Sequence, residues 1–321
     1  MPSSSRTRLL SLAAVAITVL SGLAAAPADA ARSSIRVGIG DQGKAMFDSP
    51  YYQALKLKTT RYFFPWNGMS DPYQVTLATQ YVQRAQAAGV SVLFHLSTDD
   101  FTLKKAKLPS VAAYRAQVKK IVPYFRALGV HEWGVWNEAN HASQPTYKNP
   151  KRAAQFFREM YQVVGSKEKI VALDILDQAA VDRYEKTFFG SLSPTYRKRA
   201  KVIGLHNYGD VNRKRTTYTS LMIKTARHYN RSAKFWFTET GGLVEFGRSF
   251  KCSTARAATN TRAVLNLAKK YKPFGVERVY YYNWTGPGCG KTRFDSGLMD
   301  RHGKPRKAYS TLKTLLKGYS R

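Results

Sequence analysis

The chain has 321 residues, with 52 Lys and Arg against 20 Asp and Glu, for a formal net charge of +32 at pH 7. A field of that sign attracts anionic polymers such as nucleic acid, teichoic-type wall material, acidic polysaccharide or lipid headgroups. However, no helix-turn-helix, RNA-binding or zinc-finger signature turns the charge into specific nucleic-acid recognition, and the basic residues are scattered through KLKTTR, KKAK, YRKRAK and VNRKR as on a solvated surface.

The first thirty residues read as a signal peptide. Arg6 and Arg8 form a basic start, Leu9 to Ala26 is an apolar and small-residue run, and Ala28-Asp29-Ala30 has the small-x-small pattern a signal peptidase cuts. The mature chain is expected to begin near Ala31 and to be secreted. Loss of Arg6, Arg8 and Asp29 leaves a charge of about +31. No later segment has the roughly 18 uninterrupted apolar residues of a membrane span. Residues 31–321 suffice for one barrel-type domain or two ordinary ones, and the lack of a Pro/Ser/Gly-rich linker favours one. A monomer is expected. Cys252 and Cys289, an even pair in a secreted chain, suggest a disulfide, with two buried thiols as the alternative. No Cys/His spacing suggests a metal, and no cofactor is expected.

Eight strand-like runs come in chain order: 35–41, 59–67, 90–97, 131–140, 169–177, 201–210, 233–242 and 277–286. Each is rich in Val, Ile, Leu or aromatics and ends in Gly, Asp, Asn or Ser. Helical spacing separates them. Tyr114, Val118, Ile121, Phe125 and Leu128 line one face, as do Ala153, Phe157, Met160, Tyr161 and Val164, and later Thr261, Val264, Leu265 and Ala268. Asp71-Pro72 supplies an N-cap and a proline at N1, while Gly89 and Gly129 fall where left-handed C-terminal caps belong.

Eightfold alternation allows an open doubly wound sheet or a closed (β/α)₈ barrel. The open sheet draws support from GIGDQGK, where Gly38, Gly40 and Gly43 fit the dinucleotide spacing. No helix opens at Gly43 and no acidic residue ends the second strand to hold a ribose, so a single barrel domain is the better reading.

A barrel puts its chemistry at the C-terminal ends of its strands. Those ends carry Asp41; Arg61 with Trp66; His95; Asn137 and Glu138; Asp174 and Asp177; His206 and Tyr208; Glu239; and Asn283 with Trp284. Carboxylate, imidazole and indole suit acid–base chemistry on a ring-shaped polar substrate. Period-two alternation groups Glu138 with Trp136 and Gly134, and Glu239 with Phe237 and Phe235, leaving Asn137 to the side. Strands four and seven oppose one another in an eight-strand ring. Their carboxylates can therefore meet across the mouth, as retaining glycoside hydrolysis requires. Burial beside Trp136 and a second carboxylate is expected to raise the Glu138 pKa.

With these residues in place, the chain resembles a clan A glycoside hydrolase, the superfamily that includes cellulases, mannanases and β-xylosidases. Asn137-Glu138 in VWNEANH resembles the acid/base pair ending strand four, and Glu239 in WFTETGG the nucleophile ending strand seven. Arg61 in TTRYFFPW resembles the arginine beneath the nucleophile, and His206-x-Tyr208 in GLHNYGD the strand-six pair whose tyrosine bonds it. Trp284 in YNWTG stands where a sugar-stacking tryptophan is kept, and SGLMDRHGKPRKAY resembles the run that closes such barrels. The likeness spans the whole mature chain. Ala139 departs from it, since a proline often follows the Asn-Glu pair, so the substrate is not carried over.

The resemblance implies that Glu138 protonates the leaving oxygen and Glu239 attacks the anomeric carbon. Asn137 would bond the sugar 2-hydroxyl, Tyr208 would orient Glu239, and Trp284 and Trp66 would stack on sugars. Arg61, His95, His206, Asp41 and Asp177 complete the expected polar subsites. A Cys252–Cys289 bridge would tether two walls of the cleft. The reading is a secreted retaining β-glycosidase with a glycan substrate, acidic or attached to the cell envelope. Its alternatives are a barrel without turnover that binds surface glycan, and a basic nucleic-acid or envelope-binding protein.

Overall fold

The computed structural model of the chain describes Met1 and residues 32–102, 106–291 and 294–320. Apart from Met1, the stretch read as a signal peptide lies outside the described residues. Eight parallel strands form the barrel: β1 (Ser33–Gly40), β2 (Thr59–Pro65), β3 (Ser91–Ser97), β4 (Glu132–Gly134), β5 (Lys169–Leu176), β6 (Val202–His206), β7 (Lys234–Thr240) and β9 (Val276–Tyr282). They hydrogen-bond in that order, and β1 closes the ring on β9 from Arg36↔Arg278 to Gly40↔Tyr282. Two short strands, β8 (Glu245–Phe246) and β10 (Phe294–Asp295), pair antiparallel above the mouth, and β11 (Tyr319–Ser320) adds to β1.

The helices come between the strands: α1 (Pro50–Gln53), α2 (Pro72–Ala87), α3 (Val111–Ala127), α4 (Pro150–Val164), α5 (Val181–Gly190) and α6 (Pro194–Arg199). After these come α7 (Tyr208–Asn212), α8 (Thr217–Tyr229), α9 (Thr254–Tyr271) and α10 (Lys307–Leu315). Asp71 caps α2 by accepting from Tyr73 N at 2.9 Å, and Gly89 and Gly129 take φ of 65° and 91° after α2 and α3. Residues Arg32–Arg321 form one compact unit. No helix among the described residues is long and apolar enough to cross a membrane.

Two apolar layers result. The helices pack their spaced faces on the outside of the barrel, where Tyr114, Val118, Ile121 and Phe125 of α3 are fully buried. Inside the barrel, Leu93, Val171, Val202, Trp236 and Tyr280 form a separate plug, and Arg278 lies 3.8 Å over the Trp236 ring while pairing with Glu132. Above the plug the interior turns polar, and two glycines make the room. A Cβ at Gly134 would collide with the His95 ring, and one at Gly204 with the Asp174 carboxylate.

The structure corrects three expectations. Strand four stops at Gly134, not at residue 140, so period two does not govern residues 135–140. Asn137 N donates to Leu96 O at 2.8 Å and Ala139 N to Asp174 O at 2.8 Å, which pins residues 137–139 between β3 and β5 as a turn. The strand expected to run to residue 210 ends at His206, and α7 begins at Tyr208. On β7 it is Trp236, not Phe235 or Phe237, that enters the inner plug, and the register between β6 and β7 shifts between Gly204 and His206. Glu239 therefore faces inward without sharing a face with Phe237 and Phe235.

Glu185 on α5 is fully buried, and neither of its carboxylate oxygens has a hydrogen-bond partner among the described residues. Burial, with Asp182 nearby, pushes its pKa well up, so the fold holds it neutral. Stability from this group is greatest below the ordinary carboxylate range and falls as pH rises toward the raised value. Glu185→Met should raise stability by roughly 1–3 kcal/mol near neutral pH, seen as a Tm several degrees higher that shrinks at pH 4.

Candidate active site

Arg61 organises the polar layer. Its side chain is fully buried on β2, and its guanidinium donates in four directions. Nη1 bonds Glu239 Oε2 at 2.8 Å, Nη2 bonds Asn137 Oδ1 at 2.6 Å and Asp174 Oδ2 at 3.1 Å, and Nε bonds His95 Nδ1 at 3.2 Å. Only a planar fork serves so many acceptors at once. Because His95 accepts at Nδ1, it is a neutral imidazole. Burial drives its pKa down to about 3 in spite of Asp174.

His206 is the opposite case. Its Nε2 lies 2.9 Å from Asp174 Oδ2 and its Nδ1 3.1 Å from Glu138 Oε1, with Glu239 Oε2 at 3.8 Å. Burial opposes its charge, but Asp174 and Glu239 outweigh burial and raise it to about 10. His206 is thus an imidazolium between carboxylates. Asp174, also accepting from Thr238 Oγ1, stays ionised: burial alone would raise its pKa, but the His206 and Arg61 cations hold it well below the usual range.

Glu138 and Glu239 meet at the mouth. One oxygen of each, with a His206 ring nitrogen, lies within 4.8 Å of the others. Tyr208 donates its hydroxyl to Glu239 Oε1 at 3.1 Å, so both oxygens of Glu239 are held. Glu138 sits in the turn at φ 45°, with His141 Nδ1 3.7 Å from its Oε2. The Ala139 N–H is spent on Asp174 O, a bond that proline could not make.

The expected rise of Glu138 is corrected. Burial pushes its pKa up, but the hydrogen bond and charge of His206, with His141, bring it below the ordinary value. Trp136 does not flank it. That indole stacks on Phe156 at 5.3 Å and donates to Gln144 Oε1, within the helix layer. Glu239 is the raised member, because burial and the Glu138 charge exceed the pull of His206 and Arg61.

Above the pair lies a cavity of about 450 Å³. Asn137, Glu138, Asp177, Tyr208 and Glu239 line it. Arg61, His95 and His206 do not. They are buried beneath it: Arg61 bonds Glu239 and Asn137, His206 bonds Glu138 and His95 bonds Arg61, so the subsite positions expected of Arg61, His95 and His206 lie under the cavity and not on its wall. Asp41 is spent on the Trp284, Thr285 and Gly43 N–H groups. Trp284 is 5% exposed and packs edge-on to Tyr52 and Tyr309 under the helices. Trp66 is half-buried against the outer core. None of these three lines the cavity. Tyr282 takes the place expected of Trp284, because β9 ends there and the next residues turn outward.

Sequence reading missed Asp174 as the central counter-charge, and His141, Tyr282 and several phenylalanines as lining. Asp174 was visible at a strand end; the aromatic lining had no signal in spacing. Cys252 and Cys289 form the disulfide, with Cα atoms 5.6 Å apart. It closes the loop after β7 onto the loop after β9 and contributes on the order of 3–4 kcal/mol by restricting the unfolded chain. Glu138, His206 and Glu239 are also spaced for a divalent ion among the described residues. A protonated His206 with both nitrogens bound to carboxylates has no lone pair to offer one.

No protein-family model matches this sequence, and no curated protein does. Solved structures resemble it in fold. Xylanase B from Clostridium stercorarium matches with a TM-score of 0.59 at 15% identity, over 87% of this chain and 96% of that one. A glucosidase from Croceicoccus marinus gives 0.65 at 12%, over 90% of this chain and 66% of the other. A family 39 glycoside hydrolase from Bacteroides cellulosilyticus gives 0.58 at 13%, over 88% and 64%. The chain has the barrel fold of these glycoside hydrolases.

Proposed function

We propose that the protein is a retaining β-glycoside hydrolase working by double displacement, with Glu239 as nucleophile and Glu138 as acid/base. One observation carries this reading: the two carboxyl groups have oxygens within 4.8 Å of each other across the mouth. So close an approach of one oxygen from each group favours the ~5–5.5 Å separation of retaining enzymes over the ~6.5–9.5 Å of inverting ones. The barrel fold shared with xylanases and glucosidases adds support.

In the first step Glu239, held by Arg61 and Tyr208, attacks the anomeric carbon while the leaving oxygen takes a proton from Glu138. Glu138 acquires that proton along its 3.1 Å hydrogen bond from His206 Nδ1, leaving a neutral imidazole whose Nε2–H stays on Asp174. In the second step Glu138 accepts a proton from the attacking water, and the glycosyl ester to Glu239 breaks. Asn137 Nδ2 makes no hydrogen bond among the described residues and is free to donate to a sugar hydroxyl.

Screening a panel of glycosides and glycans should find turnover in the wild type that is lost in both Glu138→Gln and Glu239→Gln. Unchanged turnover in either variant would refute the assignment. The pH profile depends on the same groups. The nucleophile must be ionised, so activity falls as pH drops through the raised Glu239 value, placing the acid limb above the usual carboxylate range. The alkaline limb belongs to the proton shared by Glu138 and His206 and should lie toward the His206 value of about 10. In His206→Asn it should move down toward neutrality with a loss of roughly 10²-fold in kcat; an unmoved limb would exclude His206 as the source.

We also propose that the protein is exported, which the basic start, the Leu9–Ala26 run and Ala28-Asp29-Ala30 support. N-terminal sequencing of the protein from culture medium should begin near Ala31; a sequence beginning at Met1 would oppose it.

A further inference from the structure

Beyond the carboxylates the cavity is apolar along one wall. His141, Asp177 and Arg213 add polar groups to its lining, with Arg213 4.8 Å over the Phe250 ring, while Phe63, Phe101, Leu243, Phe246, Phe250 and Phe294 make the apolar wall. The rings run on continuously. Phe294 meets Tyr208, which holds the nucleophile, edge-on at 5.4 Å. From there it meets Phe246 at 5.9 Å and Tyr282 at 6.1 Å, and Tyr282 meets Phe63 at 5.9 Å. Phe246 reaches the rim at 44% exposure and Phe101 at 51%.

This wall is firmly held. Phe294 pairs with Phe246 in the β8–β10 ribbon, Arg306 clamps Asp295 with two bonds at 2.7 and 2.9 Å, and the Cys252–Cys289 bridge closes the adjoining loops. The indole faces that sugars stack on are absent from it. Trp133, Trp136, Trp236 and Trp284 are buried, and Trp66 packs on the outer core.

A second sugar set against this wall, away from His141, Asp177 and Arg213, would turn its hydroxyls toward phenyl rings, losing water without gaining partners. An alkyl or aryl group would bury apolar surface instead, worth about fourfold in affinity per methylene.

We propose that the substrate is a glycoside with one sugar at the carboxylates and an apolar group, alkyl or aryl, as the remainder against the phenylalanine wall. This rests on the hydrolase reading and narrows it to a substrate class.

The test compares methyl, octyl and benzyl β-glycosides with the matching β-linked disaccharide, across several sugars, since these leaving alcohols differ little in reactivity. The octyl or benzyl compound should exceed both methyl glycoside and disaccharide in kcat/KM by ~100-fold or more. The octyl and benzyl arms separate a lipid-like chain from an aryl group. Phe246→Ser and Phe101→Ser, both at exposed rim positions, should cut the octyl-to-methyl ratio by at least ~10-fold, mainly through KM. A disaccharide turned over as well as the octyl glycoside, or a ratio unmoved in both variants, would overturn the proposal. If no glycoside is hydrolysed, the hydrolase reading itself fails. Calorimetric binding of octyl against methyl β-thioglycosides then decides the wall by itself: a preference for octyl that weakens in Phe246→Ser supports it, and equal binding overturns it.

Discussion

Glu239→Gln is expected to lower kcat by at least ~10⁴-fold with the fold intact, since the substituted amide cannot form the glycosyl ester. The isosteric amide can keep its oxygen on Arg61 and donate its NH2 to the Tyr208 hydroxyl, which turns from donor to acceptor, so the Tm should move by only a few degrees. Glu138→Gln should lose ~10²–10⁴-fold, and less with leaving groups that need no proton. Azide separates the two roles. Added to Glu138→Gln, it should attack the trapped intermediate and give the β-glycosyl azide. Added to Glu239→Gly, it should take the place of the nucleophile and give the α-anomer. Exchange of these products between the variants would reverse the assignment, a real question because Glu239, rather than Glu138, is the carboxyl pushed up in the free site.

Arg61→Met should be the most damaging change to stability that leaves the core volume nearly constant. Arg61 is fully buried, and its loss strips Asp174 and Glu239 of their shared cation. Breaking a buried pair in this way costs ~3–5 kcal/mol, which corresponds to a Tm lower by roughly 6–20 °C. Turnover should fall as well, because Asn137 and Glu239 lose the fork that fixes their spacing. Arg61→Lys should restore part of the stability and little of the activity, since one ammonium cannot reach Glu239, Asn137, Asp174 and His95 together. Thermal unfolding of the three proteins beside their kcat values checks this. A Met variant as stable as the wild type would show that the charge layer contributes no stability.

How much of this was legible in the sequence depended on how regular the backbone was. The eight strands and the faces of α3, α4 and α9 could be read because hydrophobic spacing reports burial wherever a strand or helix keeps its period. The site lies where the period fails. Strand four stops after three residues, so Asn137 and Glu138 are aimed by a turn held to Leu96 and Asp174 carbonyls, and no alternation rule applies to them. Trp284 was placed by its neighbours in sequence, yet the chain after Tyr282 turns its ring out against Tyr52 and Tyr309. The phenylalanine wall joins residues from β2, the loop after β3 and the β8–β10 ribbon. Such a long-range gathering leaves no trace in local spacing. The charge state of His206 was equally hidden, because it depends on Asp174 arriving from β5 and Glu138 from the turn after β4.

Double displacement at this site stands or falls on a covalent glycosyl–Glu239 intermediate, which can be trapped. Once the preferred sugar is known, the wild type is incubated with its 2-deoxy-2-fluoro β-glycoside bearing a reactive leaving group, then digested and mapped by mass spectrometry. One fluoroglycosyl addition per chain is expected, on the peptide containing WFTETGG and on Glu239 within it. Addition at Glu138, or hydrolysis to an inverted product with no adduct, would contradict the mechanism.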